Sequence, residues 1–132
     1  MTERYRQGVD IVHRLAPDTF EQFCTGHIAE IAPQFARMVV EFAFGDLYAR
    51  KTLDLRTRET IAIAALASLG HSRQLRQHVA AAIGQGISRA EVIEILMQSA
   101  IYGGFPNALN ALADCHDLLA EGDGVAGRSC HP

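Results

Sequence analysis

One lysine (Lys51), three cysteines and no apolar run of about 18 residues are the scarcities that first narrow what this chain can do. Without such a run nothing is expected to span a membrane. The opening segment MTERYRQGVDIVHRL is charged and lacks the apolar stretch of a secretory signal. Cys24, Cys115 and Cys130 are odd in number, widely spaced and form no CxxC. A disulfide framework or zinc cage is therefore not expected, and a reducing, cytoplasmic setting fits. The net charge is -3, so there is no basic field for nucleic acid or an anionic membrane. Phosphate loop, GxSxG elbow and dinucleotide fingerprint are all missing.

What is present is apolar: 48% of the 132 residues are hydrophobic and only 20% are charged. That length suits one compact domain, taken here as residues 1–132. The low charge suggests that apolar faces are shared between copies of the chain. Apart from Lys51 the basic residues are arginines, which suit bidentate carboxylate pairing at subunit contacts or on an acidic substrate. Each of them read singly is ordinary solvated charge.

β-branched alternation is absent, and the segments read as helices between short breakers. A helix from Thr2 to about Leu15 closes at Ala16-Pro17. A second starts near Asp18 and stops before Pro33, which opens a third carrying Phe35, Met38, Phe42 and Phe44. A break is expected from Gly45 to Asp54. Asp54 or Thr57 then caps Arg58–Leu69, a helix apolar nearly all round and ended by Gly70. Ser72 is the expected cap of the next helix, which stops at Gly84-Gln85-Gly86. Ser88 and Glu91 form a capping box for the one after it. Gly103-Gly104-Phe105-Pro106 precedes a last helix from Ala108 to about Ala120, and residues 122–132 read as a frayed tail. The expectation is all-α, about seven helices.

Polar residues inside apolar helices are the informative ones, because burial costs free energy unless they are paired. Glu59 opens the most hydrophobic helix. Its plain reading is a carboxylate favoured by a helix N-terminus; its functional reading is an acid–base group. His71 and His78 lie seven residues apart, two helical turns, so both imidazoles can share a side, with Gln74 on the same face. An imidazole there can exchange protons near neutrality without a cofactor. The plain reading is a pair of partly buried or interfacial histidines. Glu59, His71 and His78 have ligand chemistry suited to zinc or iron, but HxxxxxxH is not a usual helical metal pair, and no metal is expected. Tyr102, with GGFPN, either lines a cavity or belongs to a tight interhelical turn. Cys115-His116 places a thiol next to a base, yet neighbours on a helix point apart, and Cys115 reads as a small buried residue. For His13 and His27 the sequence alone singles out no chemistry.

The stretch from Phe44 to Leu112 contains LDLRTRE, an alanine-rich core ending in glycine, LRQH, a Gly turn, SRAEVIE and YGGFPNALNAL, in that order. It resembles the carboxymuconolactone decarboxylase family, which includes the AhpD-like alkylhydroperoxidases, over about half the chain. That resemblance implies an all-α AhpD-like bundle assembled as a homotrimer or homohexamer. In the AhpD-like branch a glutamate, a CxxC pair and a histidine form a proton relay. The glutamate corresponds to Glu59 and the histidine to His78. The two cysteine positions hold His71 and Gln74, so the redox dithiol is missing.

The decarboxylase branch is the nearer one, and it implies cofactor-free conversion of γ-carboxymuconolactone to an enol-lactone with loss of carbon dioxide. In that reading Glu59, His71 and His78 are catalytic. His78, oriented by Glu59, donates the proton; His71 or Tyr102 stabilises the enolate; and an arginine such as Arg58 holds a substrate carboxylate. The alternatives are a peroxidase-like oxidoreductase, against which the missing CxxC argues, and a non-catalytic oligomeric binding module of the same fold.

Overall fold

The computed structural model describes residues 1–15 and 26–120, and these are helical with no strand among them. The helix expected to start near Asp18 is described only from His27, and Cys24, Cys130 and the expected frayed tail lie outside the described residues. The chain divides into two compact units, Met1–Arg58 and Glu59–Pro132.

In the first unit α1 (Glu3–Leu15) buries Ile11, Val12 and Leu15. After α2 (His27–Ile31), Pro33 takes the first position of α3 (Pro33–Met38), where its missing N–H costs nothing. The chain does not then break at Gly45 as expected. It continues as a ten-residue π-helical segment, Val39–Tyr48, so wide a turn being uncommon over that length. The reason for the glycine is tertiary. A methyl group on Gly45 would overlap the Arg4 carbonyl, and one on Gly8 would overlap the Val40 carbonyl. Both glycines let α1 and the π segment approach backbone to backbone. Arg4 then reaches Asp46 with Nη2 2.7 Å from Oδ2. Gly8→Ala or Gly45→Ala is expected to cost about 1–3 kcal/mol or more, since neither obstacle is a flexible side chain. Urea unfolding of each variant measures it.

The helix α4 (Leu55–Leu69) is capped by Asp54, whose Oδ1 accepts from the Thr57 N–H at 2.8 Å. Those hydrogen bonds to Thr57 hold the Asp54 carboxyl below its usual range. In the second unit α4 is followed by α5 (Ser72–Gly84), α6 (Arg89–Gly103), α7 (Phe105–Asp114) and α8 (His116–Ala120). Ser88 caps α6 as its motif requires, accepting from the Glu91 N–H at 3.0 Å. Two expectations fail here. The residue before α5 is His71, not Ser72, and it makes no side-chain cap. The last helix starts early, at Phe105, and is interrupted at Cys115. Cys115 is fully buried in the core with Ile63, Leu75, Val79, Val92 and Leu96. Burial pushes its thiol above the ordinary range, which disfavours the thiolate that a nucleophile needs.

Arg76 joins α5 to the interruption, donating to the Asp114 carbonyl and, at 2.7 Å, to Asp117 Oδ1. That hydrogen bond, and then the guanidinium charge, bring the Asp117 carboxyl down to about 2 from 3.8. A carboxylate lowered on folding stabilises the fold fully above its unfolded value and loses that contribution as pH falls through the folded one. Asp117 is thus expected to titrate near pH 2 by NMR, with the Arg76 link to α8 loosening between about pH 4 and 2.

Candidate active site: a buried glutamate and its histidine

Glu59, Ile63 and Ala67 are the buried residues of α4, spaced by one turn on one face. Glu59 therefore occupies a core position and is 0% exposed. Its Oε2 lies 2.7 Å from His78 Nδ1 on α5. Oε1 is buried with no hydrogen-bond partner among the described residues. Placing a carboxylate in a core with one oxygen unsatisfied costs several kcal/mol, on the order of what breaking a buried pair costs. Stability alone does not explain such a residue; its Oε2 is placed where it can orient an imidazole. With Glu59 ionised, Nδ1 must carry its proton and donate it to Oε2, so Nε2 becomes the nitrogen available for proton transfer. The His78 side chain is 24% exposed, which leaves the ring within reach of a small molecule.

His71 stands at the start of α5 and is exposed, as is Gln74. Within α5 the register puts 74 and 78 on one face, whereas His71 precedes the helix with a non-helical ψ of 78°. His71 lines a small polar recess with Gly70, Ser72, Asn107 and Asn110. Tyr102 does line a cavity, of about 150 Å³, but its neighbours there are Thr60, Ala64, Ser68, Ile95, Gln98 and Ser99. The residues lining that cavity carry no charge, and none of the three titratable candidates is among them. Arg58 belongs to the first unit, where it donates from Nη2 to the Arg50 carbonyl at 3.1 Å and lies over the Tyr48 ring. The structure thus joins Glu59 to His78, leaves His71 just ahead of α5 in a recess whose lining does not include His78, and gives Tyr102 and Arg58 other surroundings. Among the described residues no three His, Cys, Asp or Glu side chains gather as a metal-binding group.

One residue of the recess entered the sequence reading only as the end of GGFPN, with no role of its own. Asn107 donates from Nδ2 to the Ser68 carbonyl at 2.9 Å and to the Gly103 carbonyl at 3.1 Å. In the sequence it is simply the residue after Phe105-Pro106. The available signal was indirect: a helix ended by Gly70 leaves carbonyls that need a donor.

Against known proteins, residues 33–113 match the family model described as Carboxymuconolactone decarboxylase family. Over 124 residues, 94% of this chain and 92% of the relative, the chain is 26% identical to a protein of Acinetobacter baylyi named 4-carboxymuconolactone decarboxylase. Over 120 residues, 89% of each, it is 30% identical to an uncharacterized 15.0 kDa protein of Paracoccus denitrificans from the nqo9-nqo10 intergenic region. With an all-helical fold, an apolar helix carrying a buried glutamate, and a family match over more than half its length, this chain belongs to the carboxymuconolactone decarboxylase family.

Proposed function

We propose that this protein is a cofactor-free decarboxylase acting on γ-carboxymuconolactone or a closely related lactone or β-keto acid. The observation that carries the reading is the Glu59–His78 pair: a fully buried carboxylate holding a partly accessible imidazole at 2.7 Å. The name of the Acinetobacter baylyi relative supports the substrate class.

The chemistry asks little of the protein beyond charge and a proton. The substrate carboxylate is in vinylogous conjugation with the lactone carbonyl. When the bond to carbon dioxide breaks, its electron pair flows through the ring double bond to the carbonyl oxygen, giving an enolate. A proton delivered to the ring carbon beside that carbonyl yields the enol-lactone. The His78 imidazolium supplies it from Nε2, while Glu59 holds Nδ1 and stabilises the cationic ring. His71, just ahead of α5, stabilises the enolate oxygen. That role fits His71 better than Tyr102, which lines the uncharged cavity. The test is loss of substrate absorbance with the purified protein in the presence of a chelator. A peroxide assay with a dithiol tests the oxidoreductase reading. Substrate turnover without peroxide consumption supports the decarboxylase; the reverse overturns it.

The same reading includes a homotrimer or homohexamer. Met97, Ile101, Phe105 and Leu109 recur every four residues across α6 and α7 and are all exposed, Ile101 at 76%. A separate exposed series in the first unit is formed by Ile31, Phe35, Met38 and Phe42. Exposed apolar series of this kind support self-association. Light scattering on the eluting protein gives the mass.

A further inference from the structure

We infer that Asn107 is a positioning residue for His71: its carboxamide fixes the corner between α4 and α5 that carries that imidazole. The inference rests on the assignment of His71 as the enolate-stabilising group. The corner begins at Gly70, with φ of 76°. The Gly70 N–H bonds to the Ala67 carbonyl at 3.2 Å and the His71 N–H to the Leu66 carbonyl at 3.0 Å. This is the paired closure of a helix that ends in left-handed glycine. It leaves the Ser68 carbonyl in the last turn to be satisfied from elsewhere. Asn107 supplies the donor, and its second hydrogen bond goes to Gly103 at the end of α6. With acceptors on both sides, only the NH₂ of the amide can stand there.

Packing points the same way. The Asn107 Oδ1 lies 3.1 Å from where a Cβ on Gly70 would be, and a side chain on Gly103 would collide with the Ser68 backbone. The amide is therefore held between two glycine-containing turns. His71 is the last residue of that turn and stands immediately before α5, its carbonyl accepting from the Leu75 N–H at 2.9 Å. It makes no side-chain cap of its own, so the backbone of the corner sets the direction in which its side chain leaves the chain. His78 is different: Glu59 holds it, two turns further on. Asn107 thus bears on one imidazole and not on the other.

The experiment combines NMR of the two imidazoles and amide exchange at Gly70 and His71 with steady-state kinetics, in Asn107→Ala, Asn107→Ser and their combinations with His71→Ala. In Asn107→Ala, exchange at both amides is expected to quicken by about tenfold or more, and the His71 ring signals to move while those of His78 stay. The kcat should fall about tenfold with KM within about twofold. Asn107→Ser, which keeps a donor, should recover part of both changes. In the His71→Ala background, Asn107→Ala should cost less than about twofold, since coupled residues are not additive. Unmoved His71 signals, equal movement of His78, or the same kcat loss in both backgrounds would overturn the inference. Wild-type kcat in His71→Ala would instead remove the enolate role of His71, leaving the NMR arm to decide whether Asn107 sets that ring.

Discussion

Replacing His78 by asparagine is expected to lower kcat for γ-carboxymuconolactone by about 10²–10⁴, the usual contribution of a positioned general acid. Asparagine is the informative substitute because its amide can stand near the place of Nδ1 and still donate to Glu59 Oε2. It removes the transferable proton while leaving the buried carboxylate a partner. His78→Ala removes both, and strands a carboxylate that is 0% exposed. That variant should lose the same activity and in addition about 3–5 kcal/mol of stability, the cost of leaving one member of a buried pair alone. Steady-state kinetics and urea unfolding on the two variants separate the chemical loss from the structural one. Equal kcat in His78→Asn and wild type would end the assignment of His78 as proton donor.

Glu59→Met should move activity and stability in opposite directions. Methionine has a similar length, fits an apolar core site and brings no unsatisfied oxygen. The partner left behind is a histidine, which can become neutral and is partly exposed, so no charge is stranded. Replacing buried ionic groups by apolar ones is often neutral or stabilising by about 1–4 kcal/mol. The melting temperature is therefore expected to hold or rise by a few degrees, while kcat falls by at least about tenfold as His78 loses its fixed tautomer. A variant both active and more stable would show that Glu59 serves neither orientation nor catalysis. A variant that unfolds would show that the carboxylate is a structural partner. The contrast with His78→Ala is the diagnostic feature, since the same hydrogen bond is removed from its two ends.

How far the sequence foretold this arrangement depends on whether each signal was local. Glu59 stood out because a titratable group in an apolar helical run must be paired or costly, and His78 because it lies within the next helix. The further expectation that His71 continues that helical face fails, since His71 precedes the helix. Gly70, Asp54 and the Ser88–Glu91 box announced helix ends through conformations and hydrogen bonds spanning a few residues. The same local logic misread Gly45. A glycine after Phe44 looks like a stop, yet its purpose is close approach to the Arg4 carbonyl, about forty positions earlier in the chain. Nothing within a few residues of Gly45 carries that information. Ser72 is a better intrinsic cap than His71, but the corner is closed by the backbone and by Asn107 from α7. The role of Asn107 is readable only once α4, α6 and α7 have been brought together. Tyr102 illustrates the converse: it lines a cavity, but one separate from the recess that His71 lines.

The central claim is that the protein releases carbon dioxide and places one proton on carbon, using its own side chains. Its most direct test is to incubate γ-carboxymuconolactone with the purified protein and a chelator in D₂O, measuring carbon dioxide and product deuterium together. The account predicts one carbon dioxide and one deuterium per product molecule, the deuterium on the ring carbon beside the lactone carbonyl. Recovery of unchanged substrate, or carbon dioxide release without deuterium at that carbon, would contradict it.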